Sequence, residues 1–318
     1  MKEEKKSMKH RKFKELLFLL ILIISSPIVV FADATDATDG HHSTESSVEI
    51  QYFSIGDAKS NIGNAQVSAS STVIQTEYEA NDIVYSFNYE RWNYNWTTPD
   101  TLPFISGTTN APWSTFNTLQ FGLSYEHEID DQWELNYYIE AESSFEKETS
   151  ESNEYEAGID FIYEPSKEWV YTVNLNLEYL DATGSEFGVD VEIEWNHDKK
   201  DGWSGEFEIS SEFPESSLTY HFTREFSTTL FSSEGGTSTI RLSDSSPVTN
   251  MQGGYFEDEY SNIGIKIDYE FEHESYLSFA LQKNSDRSLS FLDSTGRVEN
   301  SYEFSDTVEV SIGLSYTF

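Results

Sequence analysis

A chain of 318 residues with 57 Asp/Glu against 19 Lys/Arg carries a net charge of −38, and it has no cysteine. A surface this acidic repels phosphate, which excludes a nucleic-acid-binding protein. The missing cysteines exclude a disulfide framework.

The N-terminus reads as a targeting segment. Lys2, Lys5, Lys6, Lys9, Arg11, Lys12 and Lys14 precede an apolar run from Leu16 to Val30, broken only by Ser25, Ser26 and Pro27. That run is shorter than the roughly 20 residues a bilayer helix needs, and Ala32 supplies a small residue for cleavage. Residues 1–32 are expected to be a cleaved signal peptide. They hold 7 of the 19 Lys/Arg and 3 of the 57 Asp/Glu, so the remainder carries −42. Residues 33–46 are polar and expected to be disordered. No later stretch approaches 18 consecutive apolar residues, which excludes a helical inner-membrane protein. A mean hydropathy of −0.53 suits a transmembrane barrel as well as a soluble protein, because half of each barrel strand is polar.

From there the chain alternates with a period of two and shows no helical periodicity. Leu119, Phe121, Leu123 and Tyr125 alternate with Gln120, Gly122, Ser124 and Glu126. Trp133, Leu135, Tyr137 and Ile139 follow the same rule, as do Trp169 to Tyr179, Phe187 to Trp195 and Ile263 to Phe271. The last twelve residues continue it, with Val308, Val310, Ile312, Leu314, Tyr316 and the final Phe318 on one face. Each run has about the ten residues of a tilted strand crossing a membrane. Soluble sandwiches also alternate. Here, though, carboxylates recur along the polar face with few basic residues to answer them, as suits a wet lumen behind a lipid-facing wall.

Short turns and longer loops alternate. The short ones fall at Ala80-Asn81, Asp130-Asp131, Pro165–Lys167, His197–Gly202, Thr223–Glu225 and His273-Glu274. The longer ones run from Asn95 to Ser114 and from Ser243 to Glu257. Trp133, Trp169, Trp195 and Trp203 lie near short turns and are expected to form a periplasmic aromatic girdle. Trp92, Trp96 and Trp113 flank a long loop and are expected in the opposite girdle. Strands are expected near 48–55, 64–78, 82–94, 114–128, 132–145, 153–164, 168–180, 184–196, 202–212, 216–222, 226–241, 258–272, 275–290 and 303–318. The fold class is therefore all-β, an antiparallel up-and-down transmembrane β-barrel over 47–318. Fourteen strands is the expected number, with twelve as the alternative if 48–55 and 64–78 stay outside the barrel.

The run Phe213 to Leu242 (FPESSLTYHFTREFSTTLFSSEGGTSTIRL) and the strand–turn–strand run Asn117 to Phe145 resemble a family of uncharacterised bacterial outer-membrane β-barrel proteins. The closing strand, ending on Phe318, is similar to the closing strand of bacterial outer-membrane barrels. The resemblance covers about Asn64 to Phe318. It implies the outer membrane of a Gram-negative cell and brings no catalytic residues.

No Walker loop, dinucleotide fingerprint, HExxH motif or His-metal spacing occurs, so no cofactor, metal or catalytic residue is assigned. His41-His42 sits in the polar N-terminal stretch. His221 with Thr219 and Ser217, or His127 beside Glu126, would be the inward candidates of an outer-membrane hydrolase, the most distant reading. The strongest chemical signal is a ladder of carboxylates, Glu178, Asp190, Glu192, Glu194, Glu206 and Glu208, expected to face the lumen from three consecutive strands. Solvation in water, attraction of cations, or a calcium site are the three things such a ladder can mean. The expected partners are outer-membrane lipid and lipopolysaccharide, with small cations or polar solutes if the lumen is open. The function expected is a porin-like passive channel with an acidic lumen. The alternative is a structural or surface-interaction barrel whose lumen is filled by large inward residues such as Tyr138 and Ile162.

Overall fold

The computed structural model describes residues 46–318 apart from 81, 104–110, 198–199, 210–213, 247, 249–250 and 273–274. The expected signal peptide, His41-His42, and the turns at 81, 198–199 and 273–274 therefore lie wholly or partly outside the described residues. Ser46, placed by sequence in the disordered stretch, already belongs to the first strand.

The strands run in chain order as β1 (Ser46–Lys59), β2 (Gln66–Ala80), β3 (Ile83–Thr97), β4 (Thr115–Asp130) and β5 (Trp133–Phe145). Then come β6 (Asn153–Ser166), β7 (Trp169–Leu180), β8 (Gly184–Trp195), β9 (Gly202–Ile209) and β10 (Glu215–His221). The last are β11 (Phe226–Arg241), β12 (Tyr255–Glu272), β13 (Ser275–Leu292), β14 (Val298–Glu303) and β15 (Thr307–Thr317). A 3-10 turn lies at Pro99–Thr101, after β3.

Each strand from β1 to β13 pairs antiparallel with its sequence neighbour. β13 pairs with β15 along its first half and β14 along its second, so β14 and β15 are one wall strand interrupted at 304–306. β15 returns to β1 and closes the sheet. The result is a closed barrel of fourteen wall strands, the number expected from parity. Val48–Ile55 is a full member, paired with β15 on one side and β2 on the other.

The alternation holds around this wall. Ile50 sits opposite Leu314 and Tyr52 opposite Ile312, so apolar side chains meet across strands on the outer face. Phe187 is 68% exposed, Phe121 58% and Leu177 57%. A soluble protein does not present its largest apolar residues to water on most strands of a sheet. Near the turns, Trp133 stacks on Tyr163 with centroids 4.5 Å apart, and Trp203 lies 4.8 Å from Tyr220. These outward aromatics mark the edge of the band at the end that holds Ser46 and Phe318.

Parity makes a sharp test of the band. Val191 faces outward, opposite Val173, while its neighbour Glu192 faces inward, opposite Thr172. Val191→Arg is expected to cost roughly 2–4 kcal/mol in lipid vesicles and Glu192→Gln much less, read by urea unfolding. Equal effects would contradict the assignment of faces.

Candidate functional site: a wall of carboxylates below an apolar core

The interior divides into two chemistries. Over the part nearer the termini, the inward positions of β5 to β9 are polar. β5 contributes Glu134, Asn136, Tyr138, Glu140 and Glu142, and β6 contributes Glu154, Glu156 and Asp160. β7 adds Asn174, Asn176 and Glu178. Of the six residues singled out from sequence, Glu192 sits opposite Glu208 and Glu194 opposite Glu206 across β8 and β9. Glu178 sits opposite Glu186, and Asp190 opposite Asn174. No inward position of β5 to β9 holds a Lys or Arg.

A void of about 310 Å3 opens along this wall, lined by Tyr138, Glu156, Asp160, Asn174, Asp190, Glu192 and Glu208 among others. Hydrogen bonds hold its sides. Tyr138 Oη donates to Glu156 at 2.7 Å, and Asn174 Nδ2 donates to Asp160 at 2.6 Å. Asn136 Nδ2 donates to the other oxygen of Asp160 at 2.9 Å. Tyr138 packs over Gly158, its cross-strand partner, where any Cβ would collide with the ring. The large inward residue therefore lies along the wall instead of filling the centre.

The hydrolase candidates do not assemble. His127 faces outward opposite Leu135, on the other face from Glu126. Thr219 bonds Thr229 at 2.8 Å. Ser217 Oγ approaches Glu206 at 3.5 Å. His221 Nε2 lies 3.3 Å from Ser204 Oγ, a partner the sequence did not single out. Among the described residues no carboxylate is hydrogen-bonded to that imidazole, so the pair lacks the orienting group of a nucleophilic triad. Among the described residues no cluster of three or more His, Cys, Asp or Glu has the geometry to hold a metal ion.

The loop end is different. Trp92, Tyr94, Trp113 and Phe116 are buried with Ile55, Val67, Ile240, Phe256, Leu289 and Phe291 in one hydrophobic core. Trp92, Trp96 and Trp113 are thus not an outer girdle, as their position beside a loop suggested. Trp92 and Trp96 fall on the inward parity of β3, and Trp113 packs against Phe256 at 4.7 Å between ring centroids. Along β3 the faces exchange character. The inward face changes from Ser86, Asn88 and Glu90 to Trp92, Tyr94 and Trp96, while Arg91, Asn95 and Thr97 turn to water. The upper strands leave the apolar band and bury their own inner face instead.

Irregularities cluster at this level. β1 bulges between Ile55 and Ala58, β11 between Thr237 and Ile240, and β12 with β13 near Glu259 and Ser261. Bulges bend and twist a strand. Gly236 has φ +148, and a Cβ there would fall on the Asp258 carbonyl oxygen, so only glycine fits the bend. Beyond it β11 crosses to β5, where Arg241 pairs with Phe145 and the Glu146 N–H donates to the Arg241 carbonyl at 2.9 Å. The upper end of β11 therefore lies against β5 as well as β12.

A buried ion pair braces the core. Arg287 Nε and Nη2 donate to the two oxygens of Asp258 at 2.8 and 2.6 Å, with both side chains excluded from water. Tyr94 Oη donates to Asp258 at 3.0 Å. Below, Glu309 accepts from Asn284 Nδ2 at 3.0 Å and Ser71 Oγ donates to Glu90 at 2.6 Å, marking where apolar seal meets polar lumen.

These features define the class of the protein: a closed, fourteen-strand antiparallel barrel with an exposed apolar outer band and an apolar core at its loop end. No known family profile matches the chain, and no curated protein does. Among solved structures the chain is similar to a KdgM porin at 9% identity, covering 85% of this chain and 99% of that one, with a TM-score of 0.35. It is also similar to the Pseudomonas putida toluene transporter TodX (6% identity, 86% and 89% covered, TM-score 0.41). A Pseudomonas aeruginosa FadL homologue matches at 10% identity, with 86% and 90% covered and a TM-score of 0.44.

Proposed function

We propose that this protein is an outer-membrane β-barrel whose acidic lumen draws in cations and small polar solutes and disfavours anions. The observation that carries the reading is the wall of β5 to β9, where carboxylates surround a void and no inward Lys or Arg answers them. Fixed charge of one sign in a narrow, low-dielectric passage concentrates counter-ions. The closed wall and exposed apolar band supply what a bilayer demands, since every backbone group must pair within the protein. Solvation and cation attraction account for the carboxylates without a calcium site, and the chain acts without catalysing a reaction.

The test is the reversal potential of the refolded protein in planar bilayers under a salt gradient. Cation preference is expected, and it should weaken as salt rises, because the Debye length falls from about 10 Å at 0.1 M to about 3 Å at 1 M. Replacing Glu192, Glu194, Glu206 and Glu208 together with Gln should reduce that preference more than four such exchanges in the loops. Anion preference would contradict the reading.

The seal favours a second reading, a structural barrel that does not conduct. A core with Phe116 and Phe256 at zero exposure is too well packed to open readily along the axis. Absence of any current from folded protein would support it.

A further inference from the structure

Three side-chain oxygens are buried without a donor in one row of the wall. Asn262, Asn284 and Thr307 stand side by side on the inner face of β12, β13 and β15, as consecutive cross-strand partners. They are 7%, 0% and 7% exposed. Asn262 Oδ1, Asn284 Oδ1 and Thr307 Oγ1 are shut off from water and have no hydrogen-bond partner among the described residues. We propose that this row binds a small monovalent cation, of the sodium kind, just below the apolar core. The site goes beyond the channel reading and does not depend on it, since an ion held here is buried on folding.

Both amides are oriented from outside the row. Asn284 Nδ2 donates to Glu309 on β15 at 3.0 Å, which turns its Oδ1 towards β12. An ionised carboxylate only accepts, so the amide cannot sit the other way round. Asn262 Nδ2 lies over Gly235 of β11, where a Cβ would collide with it, which turns its Oδ1 towards β13. Directly opposed side chains on one face have Cβ atoms about 4.5–5.5 Å apart. The two carbonyl oxygens therefore face the gap between β12 and β13, with the Thr307 hydroxyl beyond Asn284. Opposed acceptors repel, and each has lost its water, so the pair calls for a positive charge between them. Amide and hydroxyl oxygens are ligands that hard cations take.

Charge sets the valence. Glu309 is 2% exposed, and its donors, Asn284 and Tyr260 (the latter at 3.4 Å), are neutral. Arg287, whose guanidinium lies 5.8 Å from the Tyr260 ring, gives both Nε and Nη2 to Asp258. Asp258, Glu309 and Arg287 together leave one negative charge, which a monovalent ion neutralises and a divalent ion overshoots. With one carboxylate beside neutral oxygens, the row differs in kind from a cluster of acidic metal ligands.

The place suits a brace. Just above the row β12 and β13 shift register between Glu259 and Ser261, and β13 changes partner from β15 to β14. Asn284–Thr307 is the last pair before the change. An ion shared by three strands ties the wall where its backbone ladder is interrupted. A bound water between the amides and the unpartnered Arg287 Nη1 would satisfy the same atoms without an ion.

Urea unfolding of the refolded protein in lipid vesicles separates the two. It is run at one fixed ionic strength with sodium, choline or mixtures of them as the only added cation. An ion bound by the folded state alone raises stability with its concentration, whereas choline screens the lumen carboxylates equally and is too large for a buried row. Sodium is expected to raise the unfolding midpoint above that in choline, along a saturating curve. Asn262→Leu removes one oxygen, and Glu309→Gln keeps the shape but removes the charge. Each should weaken the apparent sodium affinity about tenfold. Glu49→Gln, an inward position of β1 outside the row, should leave the affinity unchanged. Equal midpoints in sodium and choline would show a buried water only and overturn the site. A sodium effect retained in full by both Asn262→Leu and Glu309→Gln would overturn it as well. Thr307→Val, which keeps its shape and loses the hydroxyl, gives the same reading if either variant fails to fold in choline.

Discussion

Asp258→Ala should destabilise the protein by about 3–5 kcal/mol, the largest effect expected of any single polar substitution. The charge on Arg287 is fully buried, and its Nε and Nη2 both donate to Asp258. Removing the carboxylate leaves that charge uncompensated in a low-dielectric core, and breaking a buried pair costs far more than the pair contributes against an apolar replacement. Tyr94 also loses its acceptor. Replacing both partners, Asp258→Leu with Arg287→Met, should therefore recover most of the loss. Unfolding of the single and double variants in vesicles checks this. A double variant as unstable as Asp258→Ala would show that the pair is needed for the fold itself.

Phe116→Ala should cost about 3–5 kcal/mol as well, through a different term. Phe116 is fully buried, stacks on Phe256 with centroids 5.3 Å apart and meets Tyr94 edge-on at 5.5 Å. Truncation removes the transfer energy of a whole ring and leaves a cavity whose walls are tied to two strands. Phe121→Ala, five residues further on the same strand, should cost much less, because that side chain is 58% exposed and has lipid to contact. Similar losses at both positions would mean that the barrel exterior is not in lipid.

The barrel was legible in the sequence because alternation survives burial of either kind. A period of two marks a strand whether its apolar face meets lipid or a core. Strand number followed from that parity, and the weak first segments proved to be ordinary wall strands. The seal was not legible for the same reason. From Ser86 to Trp96 the alternation never breaks; only the chemistry of the two faces changes places. A reading of period alone passes over it, whereas tracking which parity holds the apolar residues would have found it at Glu90-Arg91-Trp92. The aromatic cluster beside a loop was assigned to a girdle because girdle and plug residues share a height and differ only in face. The contact between β5 and β11 joins segments almost one hundred residues apart and leaves no local trace. The carboxylates were visible as a pattern, but their setting against Tyr138, Asn136 and Asn174 depends on pairing registers that sequence does not print.

The most direct test is an accessibility scan along β8. Single spin-labelled cysteines at 187 through 195, in protein refolded into lipid vesicles, are compared for contact with oxygen dissolved in the bilayer and with a water-soluble nickel chelate. Odd positions, Phe187, Val189, Val191, Ile193 and Trp195, should contact lipid, and even positions, Gly188, Asp190, Glu192 and Glu194, should contact water. Odd positions shielded from both lipid and water, in a protein that stays folded without lipid or detergent, would contradict a membrane barrel with an acidic, hydrated lumen.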